Sequence, residues 1–78
     1  MRSLSLEGKR LVSNRTKLTK REMEVLKYIV MGKSNAQIAE ALVISEHTAK
    51  AHVCSILKKM KVKDRVLAAV TAVRAGLF

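Results

Sequence analysis

The sequence predicts an all-α fold of four helices, and three observations support this fold class. Helix-capping residues recur along the chain, apolar residues recur between them at helical spacing, and the 78 residues contain no proline. A chain of this length allows one domain, which buries only about 60% of its unfolded surface. We expect this domain over residues 18–78, preceded by a flexible basic arm or linker over residues 1–17.

Two capping boxes define the first two helices. Thr19, followed three residues later by Glu22, predicts the start of the first helix, and Gly32 predicts its end because glycine adopts the left-handed cap conformation at low cost. Ser34, followed by Gln37, repeats the starting signal for the second helix. The residues expected to face inward are Met23, Leu26, Ile29, Val30, Ile38, Ala39 and Leu42.

A third, longer helix is predicted to begin after Ser45, behind a tight turn that contains Val43. This order is typical of the helix-turn-helix motif, whose longer helix enters the major groove of DNA. Because a β-branched residue resists a positive φ angle, we expect the turn to avoid the left-handed conformation at Val43. The predicted buried stripe is Ala49, Val53, Ile56, Leu57 and Met60, and the opposite stripe is His47, Lys50, Ala51, Cys54 and Lys58.

The fourth helix is predicted to begin at Asp64 as its N-cap and to fray near Gly76. We expect Val66, Ala69 and Val73 to face the core. This arrangement leaves an apolar strip partly exposed, and such a strip on a small domain suggests a partner. The residues assigned to this dimerisation surface are Leu67, Val70, Thr71 and Arg74.

The net charge of +10 is concentrated in two segments. Residues 1–17 carry +4, from five Lys or Arg and one Glu, and residues 45–65 carry +4, from six against two. The second segment contains the predicted third helix, so we interpret the charge as a surface for a polyanion rather than as a solvated face. With one Tyr, one Phe and no Trp, the chain lacks the stacking platforms of single-strand and RNA binders, which favours double-stranded DNA.

Composition also argues against several classes of protein. One cysteine allows neither an intrachain disulfide nor a zinc knuckle, so we expect no metal or other cofactor and a cytoplasmic location. No apolar run approaches the ~18 residues that a membrane span requires, and we expect no signal peptide. No Ser-His-Asp set, glycine-rich phosphate loop or pair of acids on one face is recognisable, so we do not expect an enzyme.

From Leu18 onward the chain resembles the LuxR/FixJ/NarL/GerE family of DNA-binding domains. The resemblance runs without gaps through Leu18, Thr19, Arg21, Glu22, Glu24, Val25, Leu26, Gly32, Ser34, Asn35, Ile38, Ala39, Leu42, Ile44, Ser45, Thr48, Lys50, His52, Val53, Ile56, Lys59, Val62 and Arg65. It implies a four-helix domain of a bacterial transcription regulator, in which helix three reads DNA and helix four supports dimerisation. Most members carry an upstream receiver or sensor domain, which this chain would share if it is a fragment.

The sequence departs from the family pattern at three positions that bear on packing or recognition. Ala49 stands where valine is usual, and Met60 replaces a common leucine. Cys54 occupies a position that is polar or basic in several relatives, which changes the expected base preference but not the expected groove binding.

The resemblance and the exposed stripe together give a DNA-binding set: Thr48, Lys50, Ala51, Cys54, Lys58 and Lys63. Family resemblance places the Lys50 side chain in the major groove, where it can donate to guanine or lie on a phosphate. For Thr48 it implies a phosphate contact, and a local backbone hydrogen bond is the alternative. Lys63 resembles a family phosphate contact, and we interpret Lys58, Lys59 and Lys61 beside it as phosphate-tracking charges or solvated lysines.

Two further interpretations concern the histidines and the cysteine. We expect His52 to be structural and His47 to be exposed, without metal binding by either residue together with Cys54. Cys54 follows Lys50 by one helical turn, so its thiol is predicted on the DNA-facing side. It is interpreted as a small groove-lining residue, with a redox-sensitive thiol as the alternative.

Two other functions stay open at this point. The Leu-Thr-x-Arg-Glu opening at Leu18 is shared with region four of sigma factors, although the run from Thr48 to Val53 argues against that class. A helical protein-interaction module, docking a partner through the fourth helix, is the alternative from another class.

Overall fold

The computed structural model describes residues 18–78, and this part of the chain contains four helices and no strand. They are α1 (Lys20–Val30), α2 (Asn35–Leu42), α3 (Glu46–Met60) and α4 (Arg65–Arg74). The predicted all-α, four-helix fold is therefore confirmed. The arm or linker predicted over residues 1–17 lies outside the described residues.

Each helix begins at its predicted N-cap. At α1, Thr19 Oγ1 accepts from the Glu22 backbone N–H at 3.1 Å, and Glu22 Oε1 accepts from the Thr19 N–H at 2.9 Å. The reciprocal pair of Ser34 and Gln37 caps α2 in the same way. These side chains satisfy backbone donors that the first turn of a helix leaves without partners. The caps of α3 and α4 are Ser45 and Asp64.

The core lies where α1 packs against α3 and α4, and where α3 packs against α2. Its members are Val25, Leu26, Ile29, Ile38, Ala39, Ala49, Val53, Ile56, Met60, Ala68 and Ala72. The predicted apolar stripe of α3 is confirmed, with Leu57 only partly buried against it. Met23, Val30 and Leu42 are likewise only partly buried, whereas Val25 is fully buried, a position that the sequence analysis did not assign to the core.

The predicted orientation of α4 is wrong. Ala68 and Ala72 are fully buried, whereas Val66 is 67% exposed and Val73 is 51% exposed. Ala69, the third residue predicted to face the core, is half-buried. Valines facing inward would bury more apolar area than alanines do. The structure instead turns its alanines toward α1, because small side chains allow two helices to approach closely.

The prediction at Val43 is also wrong. Val43 adopts the left-handed conformation, with φ 57° and ψ 49°, and its side chain is 89% exposed. The Ile44 N–H donates to the Ala39 carbonyl at 3.0 Å, which is the six-residue hydrogen bond of a Schellman motif. Ile44 is partly buried against the core. The motif therefore holds Val43 at positive φ although its branched side chain opposes that conformation.

All four helices end in this way. The residue at positive φ is Gly32 after α1, Val43 after α2, Lys61 after α3 and Gly76 after α4. In each case the next residue donates its N–H to a carbonyl five residues earlier. The short turns of the domain thus use one backbone geometry, with glycine at only two of its four positions.

We predict that Val43→Gly stabilises the domain by about 1 kcal/mol, because glycine adopts the left-handed conformation without a steric penalty. In a domain of this size, such a gain raises Tm by roughly 4–8 °C. Thermal unfolding followed by circular dichroism measures the change. Val66→Gly is the matched control: Val66 is exposed but lies inside α4, where glycine disfavours the helix and lowers Tm. A Tm for Val43→Gly at or below that of the wild type contradicts the prediction.

Candidate nucleic-acid interface

One face of α3 is turned outward along the whole helix. The five residues of the predicted outer stripe, His47, Lys50, Ala51, Cys54 and Lys58, are all exposed. The opposite face is buried against α1 and α2, so the outer face is presented on a firmly packed helix. We call this outer stripe the groove face. The exposure of these five residues, which helical spacing predicted, is confirmed.

The N-terminus of α3 carries a pair of hydroxyl groups. Ser45 Oγ accepts from the Thr48 backbone N–H at 3.0 Å and donates to Thr48 Oγ1 at 2.9 Å. The Thr48 hydroxyl therefore has a local partner, but this partner is the Ser45 side chain and not a backbone group, as the alternative for Thr48 supposed. The phosphate contact of Thr48 stays a prediction. A hydroxyl has one donor and two acceptor sites, so Thr48 can accept from Ser45 and still donate its own proton to an outside oxygen. The positive end of the helix dipole lies at the same place.

The lysines near the end of α3 differ in their surroundings. Lys58, Lys61 and Lys63 are exposed, as expected for residues that follow a phosphate backbone. Lys59 differs from these three lysines because it forms an ion pair: its Nζ lies 2.8 Å from Glu22 Oε1. The interpretation of Lys59 as a phosphate-tracking or solvated lysine is therefore wrong: its charge is paired with the Glu22 carboxylate, and its side chain is 34% exposed.

Glu22 has more partners than its capping role predicts. Besides the Thr19 N–H, its carboxylate accepts from Lys59 Nζ and, at 2.7 Å, from Ser55 Oγ. The residue is only 5% exposed. Burial raises the pKa of this carboxyl, but the hydrogen bonds from Lys59, Thr19 and Ser55 and the Lys59 charge outweigh it and lower the pKa to about 2. No signal in the sequence links residues 22, 55 and 59, because Glu22 is separated from the other two by 33 and 37 residues.

Two arginines form polar contacts elsewhere in the domain, and only Arg65 joins separate segments. Arg65 donates from Nη1 to Asn35 Oδ1 and from Nη2 to the Lys33 carbonyl, both at 2.8 Å. These bonds fix the start of α4 against the turn that precedes α2. Arg21 pairs with Glu24 at 3.2 Å on the surface, where an ion pair contributes little to stability.

The residues assigned to dimerisation are unequally exposed on α4. Leu67 and Val70 are each 40% exposed, and Arg74 is exposed, whereas Thr71 is only half-exposed. Because α4 turns its alanines inward, Val66 and Val73 join Leu67 and Val70 on the outer side. We call these four residues the α4 apolar strip. It is larger than the sequence analysis predicted.

Residues 18–78 contain neither a metal-binding cluster nor a membrane-spanning helix. In this part of the chain, no group of three or more His, Cys, Asp or Glu side chains is arranged to hold a metal ion. No helix within it has the length and apolar character that crossing a membrane requires. The Cys54 thiol is exposed on the groove face, and its redox sensitivity stays a prediction.

A sequence model described as bacterial regulatory proteins, luxR family, matches residues 16–72. The chain belongs to the luxR family. This membership confirms the resemblance inferred from the motif residues and decides against the sigma-factor alternative. It also agrees with the absence of enzyme motifs, because the family consists of regulatory proteins.

Three relatives illustrate how this luxR-family domain compares with longer proteins. It is 53% identical over 60 residues to the uncharacterized transcriptional regulatory protein YhcZ of Bacillus subtilis, and 52% identical over 59 residues to the transcriptional regulatory protein DegU of Brevibacillus brevis. These matches cover 77% and 76% of the chain but only 28% and 25% of the relatives. The nitrate/nitrite response regulator protein NarL of Escherichia coli is 45% identical over 76 residues, which is 95% of the chain and 35% of NarL. The chain thus spans about a quarter to a third of these relatives.

The low pKa of Glu22 predicts a loss of stability in acid. The pKa of this carboxyl is about 2 in the folded protein and 4.5 as its reference value, so the unfolded chain binds the proton first as the pH falls. The Glu22 contribution, about 2–3 kcal/mol, is complete above pH 5 and is lost as the pH falls toward 2.

Urea unfolding of the wild type and Glu22→Gln between pH 7 and pH 2.5 measures this contribution. We expect the difference in unfolding free energy between the two proteins to shrink as the pH falls. Glu24→Gln is the matched control, since Glu24 forms only an exposed ion pair and its loss costs a few tenths of a kcal/mol at most. Parallel pH profiles for the wild type and Glu22→Gln contradict the assignment.

Proposed function

We propose that this luxR-family domain binds double-stranded DNA sequence-specifically as part of a bacterial transcription regulator, with α3 in the major groove. The observation that carries the proposal is the groove face: an exposed stripe on a packed helix, flanked by exposed lysines at its C-terminal end. A major groove about 12 Å wide admits one α-helix. The relatives YhcZ and DegU, which are transcriptional regulatory proteins, and the response regulator NarL support the same function.

The charges divide into two roles under this proposal. Lys50 lies in the first half of α3 on the groove face, where a long cationic side chain can donate to guanine O6 or N7. Ala51 and Cys54 beside it are small, so they allow the helix to lie close to the base edges. Thr48, at the N-terminus of α3, and Lys58 and Lys63, at its other end, are proposed to contact phosphates.

The α4 apolar strip is proposed to support a homodimer on DNA. Val66 and Val73 are more than half exposed, and the opposite side of α4 packs against α1. Two copies paired in this way would read half-sites separated by about one turn of the double helix, roughly 35 Å. In the alternative function, a protein-interaction module, the same strip would be the surface that binds another protein.

The location and the domain context follow from the same function. A regulator that binds the bacterial chromosome acts in the cytoplasm, and we propose that location here. The relatives extend well beyond the matched region. We therefore propose that an upstream receiver or sensor domain controls this domain if the chain is part of a longer regulator.

We predict that Lys50 and Lys63 affect DNA binding differently. Lys63→Ala should weaken binding to all sequences and flatten the log–log salt dependence by about one unit, because one phosphate contact is lost. Lys50→Ala should lose about 1–3 kcal/mol of binding free energy on a duplex that the wild-type protein selects from a random-sequence pool. It should lose little on random DNA, because the lost contact is to a base. Fluorescence anisotropy at several salt concentrations measures both effects. Equal losses for Lys50→Ala on selected and random DNA would move Lys50 to the phosphate-contacting group, and salt-independent binding would overturn the proposed function.

We predict cooperative binding of two copies to a duplex with two half-sites. Leu67→Ser combined with Val70→Ser should abolish this cooperativity while affinity for a single half-site is retained, because the strip lies on α4 and not on the groove face of α3. Met31→Ser is the matched control, since Met31 is 56% exposed but lies at the end of α1. Sedimentation velocity with labelled duplex gives the stoichiometry. One chain per duplex without cooperativity, for the wild type, contradicts dimerisation through α4.

A further inference from the structure

A buried carboxylate ties α3 to the N-terminus of α1. Glu22 Oε2 accepts from Ser55 Oγ, and Oε1 is shared between Lys59 Nζ and the Thr19 N–H. Ser55 and Lys59 are one helical turn apart, so both lie on the same side of α3. A single side chain of α1 therefore holds two successive turns of α3.

These bonds constrain α3 in a way that the apolar core does not. Apolar contacts are non-directional and allow a helix to slide or rotate slightly at low cost. Hydrogen bonds weaken steeply when their angle departs from linearity, and charged ones are about twice as strong as neutral ones. Two such bonds on consecutive turns limit both the rotation of α3 about its axis and its movement along α1.

We infer that Glu22 is a positioning residue for DNA recognition: through Ser55 and Lys59 it fixes the orientation of α3, and thereby of the groove face, without contacting DNA itself. The inference rests on the proposed function. Lys50 lies five residues, about 1.4 turns, before Ser55 on the outer side of the same helix. Because its side chain is long, a rotation of α3 displaces the end of Lys50 more than it displaces the short side chains beside it. Contacts to base edges require that placement, whereas contacts to phosphates tolerate some displacement.

Two adjacent lysines make the inference testable. Lys58 is exposed on the groove face, and Lys59 is paired with Glu22, about 100° further round the helix. Lys58→Met and Lys59→Met remove the same charge from neighbouring positions. If Lys59 acts only through α3, its loss should change specificity, and the loss of Lys58 should change the electrostatic attraction to any DNA.

The experiment uses the full chain and two duplexes: one recovered by the wild-type protein from a random-sequence pool, and a scrambled duplex of equal length and composition. For Lys59→Met we expect the affinity ratio of selected to scrambled duplex to fall about tenfold, within the range for one misplaced base contact, with an unchanged salt slope. For Lys58→Met we expect an unchanged ratio and a salt slope flatter by about 0.9. Ser55→Ala, which keeps the ion pair and the cap, should lower the ratio in the same direction as Lys59→Met.

All variants are compared at a temperature where circular dichroism shows them fully folded, so that lost stability alone cannot lower the ratio. The double variant Glu22→Gln with Lys59→Met should have a ratio no higher than that of Lys59→Met alone, because Glu22 also holds α3 through Ser55. The inference is overturned if Lys59→Met keeps the wild-type ratio, or if it flattens the salt slope as Lys58→Met does. Failure of the wild type itself to select any duplex overturns the proposed function, and with it this inference.

Discussion

The close packing of helices through alanine is the constraint on which the rest of the structure depends. Ala49, Ala68 and Ala72 are fully buried, and Ala39 nearly so, among the eleven buried apolar residues that form the core within residues 18–78. Small side chains let helices approach closely, but each contributes little apolar area. A domain of this size has few other sources of stability. Directional polar contacts such as those of Glu22 therefore contribute more to holding the helices in one relative orientation than they would in a larger protein.

The same constraint accounts for the turns. Because the helices are short and closely packed, the chain must change direction within a few residues after each of the first three helices, and the left-handed Schellman geometry achieves this. Two of the four turns accept the steric cost of a non-glycine residue, at Val43 and Lys61. At Val43 the compensation is visible: Ile44, immediately after it, donates a hydrogen bond to α2 and packs against the core. The tertiary contact outweighs the local preference.

What the sequence could predict depended on the range of the interaction involved. The N-caps at Thr19, Ser34, Ser45 and Asp64 and the apolar stripe of α3 are local patterns, and all were predicted correctly. The orientation of α4 was not predicted correctly. Large and small apolar residues both lie along this helix, and only the distance to α1 decides which of them are buried. The Glu22–Lys59 pair spans 37 residues, so its two members could be placed on their own helices but not against each other. At the candidate site, the exposure of Lys50, Ala51 and Cys54 followed from helical spacing, whereas the pairing of Lys59 required the structure.

The two sides of α3 separate the fold from the proposed reading of DNA. Ala49, Val53, Ile56 and Met60 are buried, so substitution there leaves a cavity or strain in the core. Lys50, Ala51 and Cys54 are exposed and outside the core, so residue type at these positions is nearly free of folding constraints. If α3 reads DNA as proposed, substitution on the groove face changes the base preference while the packing stays constant. Cys54, an exposed residue outside the core, lies at a position where this separation permits such a change.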